Sequence, residues 1–241
     1  MSRIYDALKR AADQGEAPER PRIVPRPAGR GLGGGVDGVP DAYQRIVQGL
    51  RASSGVETSC VIVVVSALPG EGTSTVARNL AKLLAGDAAT VLVDANLRAP
   101  SQHTAFDVPR ERGLTEMLGR SAGFSEVVKP VPSSRLALVT SGATENAGTL
   151  LGSDVTRDIV EVLRRNFRWI VFDAPPITAL AEGGAWFGLA SGVVLVVQAS
   201  RTRWEAADHA VRIIQESGGR VVGAVLNRRK FYLPEFIYRR T

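Results

Sequence analysis

Residues 66–75 read Ser66-Ala67-Leu68-Pro69-Gly70-Glu71-Gly72-Thr73-Ser74-Thr75, set between an apolar run and a helix-period stretch that begins Val76-Ala77-Arg78-Asn79-Leu80. Strand, glycine loop and helix in that order make a phosphate cradle. Gly70 and Gly72 let consecutive backbone N–H groups close on phosphate oxygens, and the start of the helix adds its positive dipole. Ser74 is placed to offer a hydroxyl to Mg²⁺. The phosphate-loop template asks for Gly-x-x-x-x-Gly-Lys-Ser/Thr; here its first position is Ala67 and its lysine position is Thr73. Two further apolar runs end in acids, Val91-Leu92-Val93-Asp94 and Ile170-Val171-Phe172-Asp173, the second followed by Ala174-Pro175-Pro176. An aspartate closing a buried strand beside a phosphate loop can hold the water shell of Mg²⁺, and a second can accept a proton or orient a nucleophile.

Three strand ends must converge on one crevice for this chemistry, and the pattern from Asp41 onward supplies the scaffold. Short apolar runs alternate with helix-period segments, which predicts a parallel sheet covered on both faces. Strands are expected over 60–65, 91–93, 136–139, 169–172, 193–198 and 221–226, and helices near 41–52, 74–85, 154–166 and 203–217. Val61-Ile62-Val63-Val64-Val65 lacks the alternation of a half-exposed strand, so both of its faces are expected to be buried. Ligands of such sheets bind beyond the carboxyl ends of the strands. Ahead of this region, residues 1–14 contain a short helix with Ile4, Leu8 and Ala11 on one face, and 15–40 form a linker rich in Pro, Gly and Arg. The folded domain is expected over 41–230 and a basic aromatic tail over 231–241.

The chain has 241 residues, 44% apolar and 22% charged, which fits one α/β domain and excludes disorder throughout. The runs 61–65 and 193–197 fall far short of the roughly 20 residues that cross a bilayer. The N-terminus also lacks the apolar core of a signal peptide, so a cytoplasmic location is expected. Cys60 is the single cysteine, which excludes a disulfide framework and a cysteine-rich metal site. Of the net charge of +6, much lies at the end of the chain, where Arg228, Arg229, Lys230, Arg239 and Arg240 face one acid, Glu235. Interleaved with them are Phe231, Tyr232, Phe236, Ile237 and Tyr238. Such a segment suits an anionic membrane surface or an acidic protein partner, and equally a solvated tail. No basic stripe runs through the rest of the chain, so no nucleic-acid partner is expected. His103 and His209 are assigned structural or surface roles, and Trp169, Trp186 and Trp204 core or helix-packing roles.

Taken together, the segments 66–79, 91–101 (Val91-Leu92-Val93-Asp94-Ala95-Asn96-Leu97-Arg98-Ala99-Pro100-Ser101), 113–118, 150–153, Asp173-Ala174-Pro175-Pro176 and 223–228 resemble, in order and spacing, the bacterial tyrosine-kinase family of capsular and exopolysaccharide synthesis. That family lies within the MinD/ParA class of P-loop ATPases. The resemblance spans about residues 41–230 and implies a three-layer α/β P-loop fold with a mostly parallel central sheet. It implies ATP and Mg²⁺ as cofactors, and a nucleotide-binding set of Gly70, Glu71, Gly72, Thr73, Ser74, Thr75 and Asn227, with Asn227 reading adenine. It further implies Ser74, Asp94 and Asp173 at the metal, Asp94, Asp173 and Arg98 as catalytic groups, and Tyr232 and Tyr238 as phosphoacceptor candidates. Active members phosphorylate their own C-terminal tyrosines and assemble into rings. They are switched on by a membrane polysaccharide co-polymerase, the chain-length regulator, which would place this chain peripherally at the inner face of the membrane.

Several departures fall on functional positions. Thr73 replaces the lysine, Asn96 replaces the second aspartate of the 91–101 motif, and Glu182 stands where the family usually has aspartate. The ring-assembly pattern Glu-x-x-Arg-x-x-Arg reads Asp41, Gln44 and Val47. Arg98 and Arg78 are the candidate substitute cations, Arg78 being assigned to the surface. The leading expectation is a member with weak nucleotide binding and impaired phosphotransfer. An active autokinase with a substitute cation is the alternative, and a MinD/ParA-like positioning ATPase, which would need a lysine where Leu68 stands, is a third.

Overall fold

The computed structural model describes Tyr43, Ile46, Val47 and residues 59–143, 153–179 and 184–228. The expected N-terminal helix, the linker, the tail with Tyr232 and Tyr238, and Glu182, Asp41 and Gln44 lie outside the described residues. Of the helix expected near 41–52, Tyr43, Ile46 and Val47 are described and helical, with Tyr43 and Val47 buried.

In chain order the elements are β1 (Cys60–Ser66), α1 (Thr73–Ala85), β2 (Thr90–Asp94), α2 (Gln102–Phe106), α3 (Leu114–Leu118), α4 (Phe124–Val127), β3 (Val128–Pro130) and β4 (Leu136–Val139). They continue with α5 (Ser153–Asn166), β5 (Trp169–Asp173), β6 (Gly192–Gln198), α6 (Trp204–Glu216) and β7 (Val221–Asn227). The strands form one sheet in the order β3-β4-β2-β5-β1-β6-β7. All neighbours pair in parallel except β3 with β4. The apolar runs of the sequence are these parallel strands, and β1 is buried along its whole length.

Alternate residues of β1 feed two separate cores, which makes the domain three-layered. Ile62 and Val64 pack with Val76, Leu80 and Leu84 of α1 and with Tyr43 and Val47. Val61, Val63 and Val65 pack on the other face with Ile159 and Leu163 of α5, Ile214 of α6, Trp186 and Phe187. Phe172 of β5 stacks on Trp186 with ring centroids 4.4 Å apart, so the strand that delivers Asp173 is clamped by an aromatic pair just before its acid.

Among the described residues, α2, α3, α4 and β3 escape the sequence pattern, each of five residues or fewer, as do the 3₁₀ turns Ile177–Ala179 and Gly184–Leu189. A stretch that short carries too few positions to show a period. The edge strand β3 holds Lys129 and Pro130, residues that blunt an exposed sheet edge. One expectation is corrected outright: Trp204 is neither core nor helix-packing but 77% exposed, at the first position of α6.

Replacing Trp186 by alanine removes the stacking partner of Phe172 from a fully buried position. It should destabilise the domain by about 3–5 kcal/mol, read as a fall in the denaturant midpoint with the slope unchanged.

Candidate active site

The phosphate loop joins β1 to α1 and is braced from three directions through Glu71, whose side chain is fully buried. Its carboxylate accepts hydrogen bonds from the N–H of Leu68 at 2.8 Å, from the N–H of Gln198 at 3.3 Å and from the Thr202 hydroxyl. Its carbonyl accepts from the Asn227 side-chain amide at 2.8 Å. The carboxylate therefore holds the loop in shape from inside, leaving backbone groups to meet a ligand. Asn227, at the end of β7, spends its amide N–H on the loop and its amide oxygen on the N–H of Arg228. Gly72 is required twice over: its φ is 93°, in the left-handed region, and a Cβ there would lie 2.3 Å from Asn227 Nδ2.

Gly72 opens α1, where no side chain caps the helix and no acid stands in the first turn. The N–H groups of that turn carry the positive end of the helix dipole. Thr73 and Ser74 are half-buried there and Thr75 is exposed. Gly70, Gly72, Thr73, Ser74 and Thr75 thus sit at or just before an uncapped helix start, the kind of place that suits an anion.

On the β5 side of the loop stand the two acids. β2 and β5 are neighbours, and the register sets Asp94 opposite Asp173. Both side chains are fully buried. Asp94 Oδ2 accepts from the N–H groups of Ser101 at 3.0 Å and Gln102 at 2.9 Å, which anchors the start of α2. Asp173 Oδ2 accepts from Gln102 Nε2 at 2.7 Å, and the Ser74 hydroxyl also bonds the Asp173 carboxyl. Burial pushes Asp94 up to about 6, partly offset by its backbone hydrogen bonds. Burial, and then the neighbouring Asp94, pushes Asp173 up to about 7.

Gln102 is the residue that sequence reasoning missed. Fully buried, it gives its backbone N–H to Asp94 and its amide to Asp173 and to the carbonyl of Ser74, the last at 3.0 Å. Its Oε1 accepts from Arg78 Nη1 at 3.4 Å. One neutral amide thus ties both strand ends to the first turn of α1. Its only sequence signal is a polar residue directly after Pro100-Ser101, which does not separate it from an ordinary helix start. Arg78 is half-buried and turned to this network, not a surface residue as expected. Arg98 lies exposed beyond β2. Asn96 accepts the N–H of Ala99 at 3.3 Å, a turn bond.

Asp94 Oδ1 and Asp173 Oδ1 are buried with no hydrogen-bond partner, and such orphaned oxygens suit a cation. No group of three or more ligating side chains occurs among the described residues. Two acids and a serine hydroxyl therefore fit a hard divalent ion such as Mg²⁺, which keeps waters and takes phosphate oxygens, and do not fit an all-protein cage.

A relative from Bacillus subtilis (strain 168), the tyrosine-protein kinase YwqD, is 33% identical over 171 residues, covering 70% of this chain and 72% of that one. The chain belongs to the bacterial tyrosine-kinase family. The succinoglycan biosynthesis transport protein ExoP of Rhizobium meliloti (strain 1021) is 29% identical over 175 residues, 70% of this chain but 22% of that longer protein. Among solved structures, the VpsO kinase domain superposes with a TM-score of 0.67 at 28% identity, covering 79% of this chain and 98% of that one. No protein-family model matches the chain. The P-loop α/β fold implied by the motifs is therefore the fold of the family, and nucleotide use is a property of such relatives.

Two predictions follow from the geometry. Both acids titrate above the value of about 3.9 for unfolded aspartate, so the folded chain retains protons that the unfolded chain releases. The stability from this source is complete below about pH 4 and is lost as the pH rises through about 6 to 7. In metal-free buffer the melting temperature should fall between about pH 5 and pH 8, and Asp173→Asn should raise it at pH 8 and flatten the slope; a wild-type curve that climbs over this window contradicts the assignment. Glu71→Ala removes the acceptor of three hydrogen bonds from a buried position and should cost about 1–3 kcal/mol, measured by chemical denaturation, with Glu71→Gln intermediate.

Proposed function

We propose that the chain is a tyrosine-kinase relative of polysaccharide synthesis and export that retains binding of Mg²⁺ and ATP while phosphotransfer is impaired. The observation that carries this reading is Thr73: a neutral hydroxyl in the first turn of α1, inside a cradle whose glycines, brace and acids are otherwise in place. In this reading Ser74, Asp94 and Asp173 hold Mg²⁺, which would neutralise phosphate charge when bound. Backbone N–H groups of 70–75 receive the phosphates, Asn227 flanks the adenine, and Asp94 or Asp173 takes the proton of an incoming tyrosine hydroxyl. A raised carboxyl is suited to exchanging a proton near neutral pH. Removing one preorganised donor to developing charge typically costs about 10² to 10³ in rate, and a threonine cannot replace an ammonium group. The name of ExoP supports a setting in polysaccharide transport. We place the chain beside a membrane co-polymerase at the inner face of the membrane, with Tyr232 and Tyr238 as the acceptors available to it and self-assembly weakened by Asp41, Gln44 and Val47.

Purified full-length chain incubated with Mg²⁺ and ATP should bind nucleotide by calorimetry yet gain little phosphotyrosine. Thr73→Lys should raise phosphorylation of Tyr232 or Tyr238 by about 10² to 10³. Rapid wild-type phosphorylation that disappears in Asp94→Ala would establish the active autokinase instead.

A further inference from the structure

We propose that Arg201 is the cation of the nucleotide site and grips the β and γ phosphates of ATP from the side opposite the two acids. This rests on the nucleotide reading above and assigns the residue that sustains binding without the loop lysine.

The sheet order puts β5, which ends in Asp173, on one side of β1 and puts β6 on the other. The turn that follows β6 is fastened to the phosphate loop at two points, because the Glu71 carboxylate accepts from Gln198 N–H and from the Thr202 hydroxyl. Arg201 lies between these two anchors in sequence, so its backbone is fixed relative to the cradle. Its guanidinium comes close to Gly70: a Cβ built on that glycine would stand 3.8 Å from Arg201 Nη1, an ordinary contact distance. Gly70 itself has a φ of 79°.

The fork is also free to accept an anion. Arg201 is exposed, and its side-chain hydrogen bond is one of 3.4 Å from Nη1 to the neutral amide oxygen of Gln198. Among the described residues no carboxylate pairs with it. A guanidinium carries five N–H donors in a planar fork that matches phosphate oxygens. The sequence-level substitutes are less well placed. Arg78 already donates to Gln102, the amide bonded to Asp173, and Arg98 is exposed beyond β2, a strand separated from β1 by β5. Reaching in from a surface turn, Arg201 adds positive charge to a bound polyphosphate without occupying the position of the missing ammonium in the loop, which is compatible with retained binding and slow transfer.

The test is calorimetric titration of full-length wild type, Arg201→Ala, Arg201→Gln and Arg203→Ala with ATP plus Mg²⁺, and with AMP, which lacks the β and γ phosphates. Melting curves check the fold of each variant. Arg201→Ala and Arg201→Gln should weaken ATP binding by about 10- to 100-fold and AMP binding much less, while Arg203→Ala leaves both unchanged. Adding Thr73→Lys to Arg201→Ala should restore the lost affinity. If the two Arg201 variants bind ATP as tightly as a wild type that does bind it, the proposal falls and the nucleotide reading stands. Equal losses on ATP and AMP also overturn the phosphate role, and a wild type that binds neither ATP nor AMP overturns both readings together.

Discussion

Two carboxyl groups of the same sign, closed off from water at the ends of adjacent strands, are the constraint around which the rest of this molecule is arranged. Parallel register puts Asp94 and Asp173 side by side, and the two cores remove the solvent that would otherwise screen them. Isolated ionised carboxylates in such a place are costly, so a group of this kind holds a proton or acquires partners. Here both happen. The pKa values rise toward neutrality, and one oxygen of each acid is satisfied by Gln102 or by the start of α2, leaving the other oxygen bare. Bare buried carboxylate oxygens of this kind suit a cation, and protons compete for the same positions.

The phosphate loop solves the opposite problem. A loop of unsatisfied N–H groups binds an anion well only if it is already in the right shape, since ordering it on binding costs affinity. Glu71 provides that order by turning its carboxylate inward to Leu68, Gln198 and Thr202, while Asn227 holds its carbonyl. The brace joins β1, β6 and β7, so the cradle is set by the sheet and not by a ligand. Charge is thereby divided across β1, with acids on the β5 side and arginine on the β6 side.

Much of this was legible in the sequence because the governing signals are local. Among the described residues the apolar runs announced six of the seven strands to within a residue or so; β1, β2, β4 and β5 are buried along their whole length, and such strands must be apolar throughout. Asp94, Asp173 and Ser74 of the glycine loop, all singled out by the sequence, are brought together by the sheet register. What escaped depends on contacts between distant segments. Gln102 acquires its role only when α2 is laid across β2 and β5. Glu71 looks like a phosphate contact until Gln198 and Thr202 arrive from 127 and 131 positions away. Arg201 has no motif at all, and Trp204 beside it looked like core on residue type alone, although α6 buries Ala210 and Ile214 and leaves that first position in water.

In the proposed reading, a threonine in place of the loop lysine affects binding and chemistry unequally, for a physical reason. Affinity for a polyphosphate sums many contributions, from the backbone N–H groups, the helix dipole, the cation held by the acids and any guanidinium within reach, so the absence of one donor is diluted. Catalysis responds only to interactions that strengthen as the transferring group changes its charge. An ammonium fixed in the first turn of α1 would meet that demand, because its position would be set by the same brace that sets the loop. An arginine on an exposed turn meets it poorly, since an unconstrained fork must be ordered at the moment of reaction. In the proposed reading such a site holds a nucleotide more readily than it spends one, and because protons compete for Asp94 and Asp173, metal binding should strengthen as the pH rises through about 6 to 7.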